Sequence, residues 1–172
     1  MKFRDLILFF IAFIVFIADQ FSKAWTRENI PLNATREIIP NFDWFVLTHI
    51  TNSGAAFGLF PQAGIFFTLI ALVVSFAIVA YYRSLPTGQW LVRISLGLQL
   101  GGALGNLVDR LRTGYVVDML YARFWPVFNI ADSAIVCGVV VLMWHLLRNS
   151  PKEDVVPLPN DAPEKIETSS GR

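Results

Sequence analysis

The chain has 172 residues, of which 55% are hydrophobic and 16% are charged, and its formal net charge is +1. Soluble domains carry roughly 25% charged residues, so this composition excludes an ordinary soluble globule. The near-neutral charge excludes a polybasic protein that binds nucleic acid, and the single cysteine excludes a disulfide framework. The composition therefore indicates an integral membrane protein.

Apolar runs predict four membrane-spanning helices, each close to the roughly 20 residues that a bilayer requires. The predicted spans are residues 3–23, 62–82, 90–108 and 127–147. The first span starts like a signal peptide, but no small-residue cleavage site follows it, so we expect it to be retained. In the third span Gly97, Gly101 and Gly105 lie along one face and predict close contact with another helix.

Two polar segments separate the spans at one membrane face. Segment 24–54 contains an aromatic and β-branched run at 42–51, which predicts a short strand near the membrane interface. Segment 109–126 is the second. We expect residues 1–149 to form one membrane domain and residues 150–172, rich in proline and charge, to form a disordered cytoplasmic tail.

Four spans place both termini on the same side of the membrane. If the termini are cytoplasmic, more Lys and Arg residues lie inside than outside. We therefore expect cytoplasmic termini, following the positive-inside rule.

The polar residues suited to chemistry gather at the face opposite the termini. A charge at the centre of a bilayer costs at least about 2.5–3.5 kcal/mol, so such residues need a partner or a function. The residues that meet there are Asp19, Lys23, Asn52, Gly54, Asn106, Asp109, Arg110, Asp118, Asn129 and Asp132. The sequence predicts one polar site to which every span contributes.

Local spacing indicates how these side chains pair. The pairs at helical spacing are Asp19 with Lys23, Asn106 with Asp109, and Asn129 with Asp132. Residues three or four apart share a helix face, so the first pair can form an ion pair. Each Asn can donate an amide hydrogen to its Asp or to a ligand. Arg110 offers a fixed fork for a carboxylate or a carbonyl.

Carboxylates are the groups best suited to catalysis in this set. Neither His49 nor His145 is placed to serve a nucleophilic serine, and no His or Cys cluster fits zinc. Two carboxylates in a partly dry site can share one proton, one acting as base toward water and the other as acid toward a carbonyl. The residues alone leave two possibilities, an aspartyl hydrolase at the membrane surface and a transporter or proton relay.

Five segments, in order, resemble the lipoprotein signal peptidase (signal peptidase II) family. They are DQFSK at 19–23, TNSGAAF at 51–57, GGALGNLVDR at 101–110, VVDM at 116–119 and FNIADS at 128–133. The resemblance covers about residues 3–147, and five motifs in order within a short chain are highly specific. Met119 stands where the family more often has Phe, a difference that concerns packing.

The resemblance implies an all-α membrane protein with four spans, and an intramembrane aspartyl endopeptidase of the bacterial cytoplasmic membrane. Such an enzyme removes the signal peptide from a diacylglyceryl-modified prolipoprotein by cutting just before the lipidated cysteine, without a metal or a cofactor. Segment 24–51 resembles the family's small β-cradle. Segment 111–126 resembles its mobile loop or short helix over the active site, near the periplasmic face.

The resemblance also assigns residues and partners. It implies Asp118 and Asp132 as the catalytic pair. The implied supporting or substrate-binding residues are Asp19, Lys23, Asn52, Gly54, Asn106, Arg110, Asn129 and Ala131. The implied partners are the lipid-modified prolipoprotein, membrane lipids and the antibiotic globomycin, and we expect a monomer that binds no nucleic acid.

Two finer expectations concern the acids. Asp132 begins the fourth helix, where the helix dipole favours an ionised carboxylate, so we expect Asp118 to hold the shared proton more often. Asp109 is the alternative catalytic acid. We expect Asp109 instead to pair with Arg110 or Arg112 and to order the segment that follows.

Overall fold

The computed structural model describes residues 3–54, 63–86 and 88–149, apart from the side chains of residues 3–5 and 42. The elements are α1 (Phe3–Asn29), β1 (Thr35–Ile39), β2 (Phe42–Asn52), α2 (Gly64–Tyr81), α3 (Trp90–Thr113), β3 (Val116–Ala122), β4 (Trp125–Phe128) and α4 (Ile130–Arg148). All four α-helices are long and apolar enough to cross a membrane, which confirms the four predicted spans. The predicted first residue of the second span, part of the motif at 51–57 and the tail 150–172 lie outside the described residues.

Helix α3 is the centre of the bundle. It packs against α1, α2 and α4, and 61% of its most apolar stretch is buried, against 17–22% in the other three helices. Glycines allow this packing. A Cβ atom at Gly101 would lie 2.6 Å from the carbonyl oxygen of Ala12 in α1, and one at Gly105 would lie 2.5 Å from Asp19 Oδ2. The predicted glycine contact face is therefore confirmed, with α1 as its partner.

The two polar segments combine in one antiparallel sheet, in the order β1-β2-β3-β4. The strand predicted at 42–51 is confirmed as β2. The expectation of a loop or short helix at 111–126 is wrong. Helix α3 continues to Thr113 and ends at Gly114, whose φ of 81° is left-handed, and β3 and β4 follow. The β-branched and aromatic residues of this segment favour strands.

The connections place the sheet where α1 and α3 end and where α2 and α4 begin. Strand β3 contacts both α1 and α3, and β2 also contacts α1. Side chains from the helix ends and from the strands are thereby brought to one end of the bundle.

Candidate active site

Asp118 lies on β3 opposite Ile50 of β2, and its side chain is buried. The residue diagonal to it on β2 is Asn52, which shares the same face of the sheet. Asn52 Nδ2 donates to Asp118 Oδ2 at 2.9 Å, and Asn129 Nδ2 donates to Asp118 Oδ1 at 2.7 Å. Both carboxyl oxygens of Asp118 are therefore held by amide donors from different elements.

Asp132 lies in the first turn of α4, which Asn129 caps. Asn129 Oδ1 accepts a hydrogen bond from the backbone N–H of Asp132 at 2.9 Å, and Asp132 Oδ2 accepts one from the backbone N–H of Asn129 at 3.3 Å. This reciprocal capping box fixes the carboxyl group at the helix start. The other oxygen, Asp132 Oδ1, accepts from Asn106 Nδ2 of α3 at 2.8 Å.

The two acids occupy different environments. The pKa of Asp118 is raised from 3.8 to about 6, first because burial disfavours its charged form and then because the negative charge of Asp132 acts in the same direction. The hydrogen bonds from Asn52 and Asn129 oppose this shift. Asp132 instead lies at a helix N-terminus, which favours negative charge. Asp118 can therefore hold a proton at a pH below about 6.

A buried lysine of α1 joins that helix to α3 beside this pair. Lys23 has no exposed surface, and its Nζ lies 2.8 Å from Asp19 Oδ2, 3.0 Å from Asp109 Oδ2 and 2.9 Å from Asn106 Oδ1. Three acceptors thus match the three hydrogens of the ammonium group. Asp19 Oδ1 also accepts from the backbone N–H of Ala131 at 3.0 Å, which ties α1 to the start of α4. The predicted Asp19–Lys23 pair is confirmed.

The expected partners of Asp109 are wrong. Asp109 pairs with Lys23 at 3.0 Å, and among the described residues it forms no ion pair with Arg110 or Arg112. Asp109 Oδ2 also accepts from the backbone N–H of Val117 at 3.4 Å, so it does contact the segment that follows α3. Asp109 lies on the α3 face that packs against α1, where the buried ammonium group is the nearest cation.

The expected pairing of each Asn with its own Asp is only partly correct. Asn106 donates to Asp132 of α4, because Lys23 occupies Asp109 and a charged donor binds a carboxylate more strongly than an amide does. Asn129 does cap Asp132 through its side-chain oxygen, but its amide hydrogens go to Asp118 and to Asn106 Oδ1, the latter at 3.3 Å. The amides therefore link separate elements.

A cavity of about 440 Å³ opens beside the acids and is lined by both Asp118 and Asp132. Arg110 also lines it, with its Cζ 5.6 Å from the centroid of the Phe67 ring. Among the described residues the Arg110 guanidinium makes no ion pair, so the expected carboxylate fork is not formed. Gly54 lines the same cavity, and its backbone N–H donates to Asn52 Oδ1 at 2.9 Å.

The structure brings all eleven predicted residues into one connected region, and it adds Gln20, which sequence reasoning missed. Gln20 Nε2 lies within 3.1 Å of both Asp19 Oδ2 and the Gly105 carbonyl oxygen, and 3.4 Å from Asp109 Oδ1. The sequence did contain a signal for Gln20, since its side-chain amide lies next to Asp19 in an apolar span. Such a polar group needs a partner within the bundle.

The arrangement suits general acid–base chemistry on a carbonyl. Two carboxyl groups face one partly enclosed cavity, and one of them has a pKa raised to about 6, so it can hold a proton while its partner accepts one. Within the described ranges no group of three His, Cys, Asp or Glu side chains is placed to hold a metal ion.

Comparisons with known proteins give consistent matches. Residues 11–148 match the family model described as signal peptidase (SPase) II. A lipoprotein signal peptidase of Moorella thermoacetica is 50% identical over 137 residues, covering 80% of this chain and 90% of that protein. One of Halothermothrix orenii is 42% identical over 148 residues, covering 86% of this chain and 99% of that protein. A bacterial membrane enzyme solved by the in meso method at 2.3 Å resolution superposes with a TM-score of 0.76 at 30% identity, covering 88% of this chain and 94% of that one.

Proposed function

The chain belongs to the signal peptidase II family, aspartic-type peptidases of the bacterial inner membrane that remove signal peptides from prolipoproteins, and we propose that Asp118 and Asp132 are its catalytic pair. The observation that supports this pair is that both carboxyl groups line one cavity while amide donors from β2, from α3 and from the N-cap of α4 hold them. A reacting carbonyl in that cavity meets an acid and a base together.

In the proposed reaction Asp132 is the base and Asp118 is the acid. The oxygen of a water molecule attacks the carbonyl carbon of the scissile bond while Asp132 accepts a proton from that water. Asp118 gives its proton to the carbonyl oxygen. The product of this step is a tetrahedral diol. Asp132 then protonates the leaving nitrogen, the C–N bond breaks, and a diol hydroxyl returns its proton to Asp118, which restores the starting state.

Asp109 is the competing acid, and its contacts favour a supporting role. Its carboxylate is paired with the buried Lys23, and it is not among the side chains that line the cavity. The ion pair at 3.0 Å already engages this carboxylate on the α1 side of α3, away from a substrate in the cavity. Asp109, Asp19 and Lys23 therefore hold α1, α3 and α4 in register beneath the acids.

The finer assignments belong to the same proposal. The bond cut is the one just before the lipidated cysteine, the substrate is a diacylglyceryl-modified prolipoprotein among membrane lipids, and globomycin occupies the same cavity. Both termini are cytoplasmic and the active site lies near the periplasmic face. The enzyme acts as a monomer, and residues 1–149 carry the activity without the tail 150–172.

A cleavage assay tests this proposal. Purified protein in detergent, with EDTA present, is given a diacylglyceryl-modified prolipoprotein, and the products are mapped by mass spectrometry. We expect a new N-terminus at the lipidated cysteine, inhibition by globomycin, and no cleavage by a variant that combines Asp118→Asn with Asp132→Asn. Cleavage by that double variant would contradict the proposed pair, and loss of wild-type cleavage on EDTA addition would contradict the metal-free mechanism.

A further inference from the structure

The catalytic cavity contains a polar side chain at a depth where its other walls are apolar. Below the acids the walls include Ile70, Ala71, Val74, Ala103, Ile135 and Val136. Gln99 lines the same cavity from α3. It lies two helical turns before Asn106, which is about 10 Å along the helix axis. A polar side chain at this depth in a spanning helix needs a function, because an unpaired amide in an apolar environment is costly.

Gln99 is held in place by its neighbours. Ser95 has no exposed surface, and its Oγ donates to the carbonyl oxygen of Gly138 at 2.8 Å. Gln99 Nε2 lies 3.0 Å from the same Oγ. Because the only hydroxyl hydrogen of Ser95 is already used, Gln99 must be the donor, which fixes the orientation of its amide. A Cβ atom at residue 138 would lie 2.8 Å from Gln99 Cγ, so glycine makes room for this side chain.

The hydrogen bond to Ser95 uses one N–H of the Gln99 amide and leaves the second N–H and the carbonyl oxygen available. The second N–H and the Oε1 atom have no hydrogen-bond partner among the described residues, and the side chain is only partly buried. A molecule in the cavity that carries both a donor and an acceptor can satisfy both groups.

A lipid-modified signal peptide has three parts that could meet Gln99: a helical segment, the diacylglyceryl esters and an extended segment. They differ in the free hydrogen-bond donors and acceptors that they offer. A helical segment has already used its backbone N–H and C=O groups internally, so it offers Gln99 neither a free donor nor a free acceptor. The ester groups of a diacylglyceryl chain only accept hydrogen bonds, so Gln99 Oε1 would remain unpaired. An extended peptide offers N–H and C=O groups that are both free.

We propose that Gln99 binds a backbone peptide group of the signal peptide, held in extended form about three residues before the scissile bond. The distance is consistent, since an extended chain advances about 3.3 Å per residue and so covers ~10 Å in three residues. This inference rests on the proposed function. It makes Gln99 a positioning residue that selects substrates able to unwind before they reach Asp118 and Asp132.

A substrate scan tests this role in the full-length enzyme. Synthetic diacylglyceryl lipopeptides each carry one backbone ester in place of an amide, which removes a single N–H, at successive positions before the lipidated cysteine. For wild type we expect one ester, three or four residues before the cysteine, to lower kcat/KM by roughly 3- to 10-fold. Gln99→Leu should lower kcat/KM for the all-amide substrate by a similar factor and lose its sensitivity to that ester.

Control variants separate this contact from general packing. Ile70→Leu changes the cavity wall without changing hydrogen bonding, so it should retain the ester sensitivity of wild type. Gln99→Met is a second variant without the amide, for use if Gln99→Leu does not fold. The scan of wild type does not depend on the folding of any variant. A dialkyl ether lipopeptide, which lacks the ester carbonyls of the lipid, tests the lipid as the occupant instead.

The outcomes are distinct. Equal wild-type cleavage of all the backbone-ester substrates would overturn the role of Gln99 and leave the proposed function standing. An effect of the dialkyl ether that disappears in Gln99→Leu would assign Gln99 to the lipid and overturn the peptide contact. Failure of wild type to cleave any of these substrates would overturn the proposed function and this inference together.

Discussion

Asn129 caps the helix that carries Asp132 and, with the same side chain, donates a hydrogen bond of 2.7 Å to Asp118. One residue therefore fixes the position of both acids, although they belong to a strand and a helix. The capping oxygen holds the backbone of Asp132, and the amide nitrogen holds the carboxyl group of Asp118. This shared support explains how a strand and a helix can present a catalytic pair with a reproducible geometry.

The pH dependence of cleavage should follow Asp118. Its pKa is raised to about 6, so below that pH it carries the proton that the mechanism gives to the carbonyl oxygen. As the pH rises through about 6 this proton is lost, and kcat/KM, which reports the free enzyme, should fall. A pH–rate profile on a substrate without titratable groups near the cleavage site measures this. A kcat/KM that rises through the same range would contradict the assignment of Asp118 as the acid.

Removing the amide donor of Asn52 should shift the pH–rate profile to higher pH. The hydrogen bond from Asn52 favours the ionised form of Asp118 and so lowers its pKa. In Asn52→Ala the pKa of Asp118 should rise, and the falling limb should move to higher pH while the maximal rate decreases. Thr35→Ala on the exposed strand β1 is the matched control and should leave the limb in place. A limb that does not move would show that Asn52 does not act through Asp118.

The buried Lys23 should be essential for stability as long as its acidic partners remain. Lys23→Met leaves Asp19 buried without its cation and leaves Asp109 with only the partly exposed Arg27 at 3.9 Å, which we expect to cost about 3–5 kcal/mol. Thermal unfolding in detergent measures this, with Arg36→Met on the exposed β1 as a control that should change little. Combining Lys23→Met with Asp19→Asn and Asp109→Asn should recover part of the loss. A single Lys23→Met variant as stable as wild type would refute the buried ion-pair account.

The contact between α3 and α4 should tolerate no side chain at residue 102. A Cβ atom there would clash with the carbonyl oxygen of Ala131 and approach Ile135 Cγ1 at 2.8 Å. Gly102→Ala should therefore destabilise the protein by about 1–3 kcal/mol and reduce cleavage, because α4 carries Asp132. Gly88→Ala, where no atom lies within 4 Å of the added carbon, is the control for a glycine in open space. Equal unfolding temperatures for the two variants would contradict this packing.

The sequence was sufficient to predict the helices and the ion pair within α1. Apolar runs mark all four spans, and residues four apart on one helix must be neighbours, so Asp19 and Lys23 could be paired from their spacing. Strand β2 was also visible in its aromatic and β-branched run. These features depend on local composition, which the sequence shows directly.

Features that depend on distant contacts could not be predicted in the same way. Lys23 and Asp109 lie on different helices, and their 3.0 Å contact depends on the way α1 packs against α3. Spacing alone therefore favoured the neighbouring arginines as partners of Asp109. Strands β3 and β4 were missed because they gain their stability by pairing with β2 in a sheet built from both polar segments.

Cleavage by single Asn variants tests the central claim, that Asp118 and Asp132 are the catalytic pair, most directly. Initial rates on one diacylglyceryl-modified prolipoprotein are compared for wild type, Asp118→Asn, Asp132→Asn and Asp109→Asn, each checked for a wild-type unfolding temperature or corrected for its folded fraction. We predict that the first two variants lose roughly 100- to 10,000-fold in rate, because general acid–base catalysis contributes typically 10²–10⁴-fold, whereas folded Asp109→Asn retains cleavage. An inactive but folded Asp109→Asn, together with active Asp118→Asn or Asp132→Asn, would contradict the account.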